Sequence, residues 1–308
     1  MCSIGSRERS ATSVAVLPFD DQTYDFIQRE FDLPEDMLKA ARDDHEFITH
    51  YFHHDLKSGT RRLCLLLRLM LFDKDGCCLA LSYDSTTHST YALLLGLLDR
   101  PRAPKEELAE QLRRSASSAW HPLFLPLLLL RNRSERIALK MQYSIGSGFD
   151  VELSQAVDKG VSAQPQSNQR SGRGHSSPGR STPKSNDRDV EAVLTRLCTM
   201  STDIGIVQTA AELLLASLRR IEDLRDAVVK QTSTKLLMLQ ADEDDDFLMN
   251  VQRTNDTVER HIDYIKNANS NRIIRVAQMK ENVQRQLDGV ETLITHRDNK
   301  TKLWAGLR

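Results

Sequence analysis

Two groups of side chains have types and spacing that could do chemistry. The first is acidic. Asp242, Glu243, Asp244, Asp245 and Asp246 follow one another directly ahead of a helical stretch. Carboxylate oxygens suit hard divalent cations, and magnesium in particular keeps part of its water shell on such ligands. An EF-hand loop is excluded. Counted from Asp242, Phe247 takes the glycine position and Arg253 the bidentate glutamate position. Without a cation the same run is a solvated helix start, which the helix dipole favours. The second group is His45, His50, His53 and His54. On a helix His50 and His54, four residues apart, would share a face and could pair on zinc. The H-E-x-x-H pattern is not met, because Thr49 stands where the second histidine belongs. The plainer alternative is a set of polar residues near a helix end.

Other candidates reduce to structure. Gly146-Ser147-Gly148 lacks the third glycine and the leading strand of a dinucleotide site, and reads as a turn. Cys77 and Cys78 are adjacent, so on a strand they point to opposite faces. Ser177-Pro178 and Thr182-Pro183 are either proline-directed phosphorylation sites or ordinary linker composition. G-x-S-x-G, P-loop and kinase motifs are absent, and no nucleophile–base arrangement emerges. The expectation is a chain that is not an enzyme.

The elements that must position these residues follow from composition and periodicity. Lys+Arg 42 against Asp+Glu 43 gives a net charge of -1, which argues against nucleic-acid binding by bulk charge. Aromatics at 6% are few for an all-β sandwich. Five cysteines without a C-x-x-C pair or a secretory leader point to a reducing, cytoplasmic setting. The longest apolar runs, Leu63 to Phe72 and Leu123 to Leu130, fall short of a membrane span and are broken by Arg68 and Pro126. Residues 154–188 are rich in Ser, Gly, Pro, Gln and Asn, and cannot bury enough surface to offset ordering entropy. The expected organisation is therefore a small N-terminal α/β domain over 1–153, a disordered linker over 154–188 and a helical domain over 189–308. The fold class is α+β, mostly helical.

Within the first part, helical spacing of Met37, Ala40, Ala41, Phe47, Ile48 and Tyr51 predicts a helix over 36–52. Arg62 to Phe72 and Cys77 to Tyr83, separated by Asp73-Lys74-Asp75-Gly76, predict a β-hairpin. Helices are expected over 89–98, over 105–115 and after Pro126, with a buried strand as the alternative for the apolar part of the last. Beyond the linker, helices are expected over 189–200, 202–239 and 247–303. The last carries a heptad seam: Val258, Ile262, Ile265, Val276, Met279, Val283, Val290 and Leu293, interrupted by Asn269, Arg272 and Gln286. A rod of that length must pack along partner helices, within the chain or between chains. Self-association through the seam makes a homo-oligomer the expected state.

One stretch of this last helix, Val283 to Lys300, holds Leu293, Ile294, Arg297 and Asp298 in a pattern that resembles fungal CorA-like magnesium transporters just before their first membrane helix. Thr295-His296 replaces the Ala-Gln of that pattern. His121-Pro122-Leu123-Phe124-Leu125-Pro126 is similar to the "HPLLLP" element of the same family. The order of elements agrees as well. The family conducts ions through a pore helix bearing Gly-Met-Asn; this sequence contains neither that tripeptide nor a membrane helix. The resemblance thus implies a cytosolic domain without transport of its own, peripheral to a membrane when assembled with a full-length relative. It also implies magnesium sensing by interfacial carboxylates, for which Asp242 to Asp246 are candidates by chemistry alone. The alternative is a helical scaffold protein unrelated to ion transport.

Overall fold

The computed structural model describes residues 20–43, 45–54, 61–70, 76–96, 104–143, 185–239 and 245–306. Four strands, β1 (Phe47–His54), β2 (Arg61–Met70), β3 (Gly76–Asp84) and β4 (Ser89–Leu95), form one antiparallel sheet in sequence order. Around them in sequence come α1 (Asp21–Glu30), α2 (Met37–Arg42), α3 (Pro104–Arg114), α4 (Phe124–Met141), α5 (Ser185–Leu239) and α6 (Asp245–Gly306). The α+β, mostly helical class is what the sequence leads one to expect. The chain divides into two units. One is Met1–Ser134 with Leu213–Ala268, and the other is Glu135–Glu212 with Asn269–Arg308.

In the first unit β2 and β3 are buried along most of their lengths, which explains their unbroken apolar runs. The register aligns Phe47, Arg68, Cys78 and Leu95 across all four strands, and Ile48, Leu67, Leu79 and Leu94 on the opposite face. On the first face Leu66, Cys78, Ala80 and Leu95 pack with Tyr24, Leu33, Met37 and Ala40 of the α1–α2 segment. On the other face Leu65, Leu67, Leu79 and Leu81 are fully buried. Burying one such leucine is worth about 1.5–3 kcal/mol. The end of α1 is fixed by its backbone. Leu33 N–H reaches Gln28 O at 2.9 Å and Asp32 adopts φ 52°, the left-handed turn that closes a helix. That turn lets Asp32 meet Arg62 at 3.1 Å.

Three expectations need correction. The helix expected over 36–52 is two elements: α2 stops at Arg42, and Phe47–His54 is strand β1. Phe, Ile, Thr and Tyr favour strands, and pairing with β2 outweighs a helical spacing that arose by coincidence. Residues 89–95 are likewise strand β4 although leucine and alanine favour helices, because β3 offers its open edge to them. The two helices expected over 189–239 are one, α5, which runs through Ser201 and Gly205. The hairpin strands, the helix over 104–114 and the long last helix are as expected; α4 differs only in starting at Phe124. Pro126 sits in its first turn, where a missing N–H is harmless. The linker lies outside the described residues except for Ser185 to Arg188, which begin α5.

Within the first unit α5 and α6 run antiparallel. Glu222 meets Lys266 at 2.7 Å while Arg225, further along α5, meets Glu259, further back on α6, at 3.2 Å. In the second unit the buried positions of α5 are Leu197, Met200, Ile204, Val207 and Ala211, and those of α6 are Asn269, Val276, Val283 and Val290. Lys140 of α4 joins Asp203 of α5 at 3.2 Å.

Candidate functional site

The strand β1 dissolves the zinc pair. His50 and His54 lie on an extended strand, where four residues at about 3.3 Å each separate them far beyond what one metal spans. His53 points to the other face, and His45 bonds Asp43 at 3.0 Å. Among the described residues no three His, Cys, Asp or Glu side chains are grouped to hold a metal ion. Asp242, Glu243 and Asp244 lie outside the described residues; Asp245 and Asp246 open α6. Gly146 to Gly148, Ser177-Pro178 and Thr182-Pro183 also lie outside them.

Two buried polar centres, both in the first unit, were not legible in the sequence. Glu46, just before β1, forms an ion pair with Arg133 of α4, and both side chains are almost fully buried. Glu46 Oε1 also accepts the Met70 N–H at 2.7 Å, fixing the end of β2. Burial pushes the Glu46 carboxyl above its ordinary pKa, outweighing Arg133, the Met70 N–H and Arg68. Among the described residues Glu46 Oε2 and Arg133 Nε have no hydrogen-bond partner. The sequence separation of 46 and 133 leaves no local signal.

His121 is the second centre. Its Nε2 lies 3.1 Å from Asn255 Oδ1 on α6, and its Nδ1 accepts the Leu123 N–H at 3.1 Å. The ring thus holds the backbone just ahead of α4 and ties it to α6, a use for the histidine of the His121–Pro126 element. This pattern requires the neutral ring, with the proton on Nε2. Burial lowers its pKa to about 4, against which the Asn255 bond acts only in part.

A pH dependence follows. The unfolded chain takes up a proton at the ordinary histidine pKa of 6.5 and the folded chain only near 4. The contribution is fully present above 6.5 and is lost as pH falls through that window. By pH 5 the loss is about 2 kcal/mol. Urea unfolding at pH 7.5 and 5, on the parent and on His121→Gln, checks it: the variant's acid-induced loss is smaller by that amount. Equal losses in both chains refute the assignment.

Several reactive groups of the first unit are held in unreactive states. Cys64, Cys77 and Cys78 are buried, and none of them is in a disulfide. Burial pushes the Cys78 thiol up to about 12 and the Cys64 thiol upward, so neither is thiolate near neutrality. Tyr83 Oη lies 3.0 Å from His88 Nδ1, and burial raises the phenol's pKa. Arg62 bridges Asp32 at 3.1 Å and Asp84 at 3.7 Å. These contacts join elements to one another.

The structure places Val258, Ile262, Ile265, Val276, Val283 and Val290 inside this single chain, all buried. Asn269 is fully buried among them, and its Oδ1 accepts from Arg272 at 3.0 Å, so one polar interruption of the seam is satisfied by another. Met279 is half-buried and Leu293 is 51% exposed. Of the residues that carry the transporter resemblance, Ile294 is half-buried and Asp298 exposed. Among the described residues no helix is long and apolar enough to cross a membrane. Comparison with family models, with curated proteins and with solved structures finds no match.

Proposed function

We propose that this chain is a non-catalytic, self-associating domain of CorA-like build, whose long helices carry its interactions. The observation that supports this reading most is α6 itself. At 62 residues it extends about 90 Å. Such a rod serves to reach and to present a face, a purpose foreign to a small-molecule site. The element order supports the same reading: a small sheet first, then two helices of 55 and 62 residues. The buried polar centres join elements to one another. The candidate carboxylates for magnesium are Asp242 to Asp246, so that run is where cation sensing is tested. The alternative, a helical scaffold unrelated to transport, shares self-association but not a response to magnesium.

Sedimentation velocity over a wide concentration range, with and without magnesium, tests both parts. The expected result is a sedimentation coefficient that rises with concentration, and rises further with magnesium. A chain monomeric throughout refutes self-association. Association indifferent to magnesium removes cation sensing and favours the scaffold reading. Changing Asp244, Asp245 and Asp246 together to Asn should abolish the magnesium response.

A further inference from the structure

Two histidines of the first unit lie where α4 meets α6, and the surroundings of both resist a proton. His121 is 1% exposed and uses both ring nitrogens: Nδ1 accepts the Leu123 N–H, and Nε2 donates to Asn255 Oδ1 of α6. A proton on Nδ1 would turn that acceptor into a donor facing the Leu123 N–H, and would bury a charge. Among the described residues no charged side chain offsets it; Asn255 alone favours the charged ring. On its other side the ring meets Trp120 edge-on at 5.6 Å, and beyond Trp120 lies His88, bonded to the Tyr83 hydroxyl. His261 is half-buried and lies less than two turns beyond Asn255 on α6. Two guanidiniums act on it, Arg131 of α4 and Arg260 of α6. Arg131 lies over the ring of Tyr264, one turn on from His261, at 5.8 Å. Arg260 is anchored at 3.2 Å to the Asp256 carbonyl and at 3.2 Å to Thr257 Oγ1. A protonated His261 would be a third positive charge in that group. Burial, with both guanidiniums, holds its pKa below the ordinary value.

We infer that acid releases α6 from α4 through His121 and His261 together, while α6 stays with α5. The contact of α6 with α4 passes through these two rings. That of α6 with α5 is held by Glu222 and Lys266 at 2.7 Å and by Arg225 and Glu259 at 3.2 Å, and neither pair includes a histidine. With the contact open, each histidine takes up a proton at the ordinary value of about 6.5; with it closed, only at lower pH. The closed contact is thus fully favoured above that value and loses ground as pH falls through it. Each histidine raises the opening equilibrium by up to roughly tenfold per pH unit, so two in one contact give more than one can. The acid-induced loss expected above for His121 is then first felt at this contact, ahead of the sheet. The device is independent of the function proposed above.

Hydrogen exchange of the full chain, followed amide by amide at pH 6 and pH 5, tests the inference, because the Leu123 N–H makes one of the bonds that a proton breaks. After correction for the pH dependence of exchange itself, opening at Leu123 should grow by more than tenfold in the parent. At both pH values Leu123 should open more readily than Leu65 and Leu79 of the sheet. A little urea should speed the sheet amides and leave Leu123 nearly unchanged, since a local opening exposes little surface. Glutamine keeps a donor and an acceptor but takes up no proton. His261→Gln or His121→Gln should therefore cut the growth at Leu123 to tenfold or less, and the double variant should abolish it. No growth in the parent, or sheet amides that open together with Leu123 and share its response to urea, overturns the inference. So does a double variant that responds like the parent. Should His121→Gln fail to fold, His261→Gln decides alone: a Leu123 response equal to the parent's shows that the two histidines do not act together, and release of α6 is refuted.

Discussion

Gly96→Ala loses about 3 kcal/mol or more of folding stability, whereas Gly289→Ala gains a few tenths to 1 kcal/mol. The opposite signs come from what a methyl group meets at each place. Gly96 follows β4 with φ 90°, a conformation that residues with a Cβ rarely adopt. A Cβ there would lie 2.2 Å from the carbonyl oxygen of Gly76. That oxygen belongs to the backbone at the start of β3 and cannot rotate aside. Relief requires moving β3 or the chain leaving β4, next to the Cys78–Leu95 pairing of the sheet's core. Backbone strain of about 1–3 kcal/mol therefore adds to a steric cost. Gly289 lies in α6 with nothing within 4 Å of the added atom, and alanine is the better helix former. Thermal unfolding of the three chains checks the pair. For units of this size the first change lowers the midpoint by roughly 10 °C and the second raises it slightly. Equal losses at both sites would sink the argument.

The class of the fold and its two long helices were legible because their signals are local and repeated. A seam of Val258, Ile262, Ile265, Val276 and Val283 has no reading other than a helix, and the apolar runs of β2 and β3 are too long and too uniform for loops. Two of the three failures lie at the sheet's edges. β1 and β4 are strands because β2 and β3 present backbone groups to them, and that pairing overrides a local pattern that Phe47-Ile48 and Leu93-Leu94-Leu95 leave ambiguous. The zinc reading failed with the helix that would have supported it. Glu46, Arg133, His121 and Asn255 were invisible for another reason. Each works through a partner far along the chain, and composition around a buried charge says nothing of the charge that will face it. The seam's spacing made α6 a packing face without saying what would cover it.

Breaking the Glu46–Arg133 pair on one side costs about 3–5 kcal/mol, and breaking it on both sides costs less than the sum. Arg133→Met leaves a buried carboxylate without its guanidinium. Glu46→Leu leaves a buried guanidinium and also strips the Met70 N–H of its acceptor. In the double variant no charge is stranded, and what remains is the unpaired Met70 N–H, worth about 1–3 kcal/mol. The coupling between the two sites should therefore exceed about 2 kcal/mol. The pH dependence gives a second readout that simple loss of packing would not produce. In the parent the Glu46 carboxyl has a pKa above its ordinary 4.5, so its contribution is present at low pH and is lost as pH rises through the folded value. Removing Arg133 takes away an attraction that holds this pKa down, and the window moves upward. Measured against the parent at each pH, Arg133→Met then loses more stability at pH 7.5 than at pH 5.5, as the carboxyl takes up a proton and ceases to be a stranded charge. Urea unfolding of the parent, both single variants and the double variant at the two pH values completes the cycle. Additive losses, or a loss from Arg133→Met that does not change with pH, would show that the guanidinium acts there only as a filler of space.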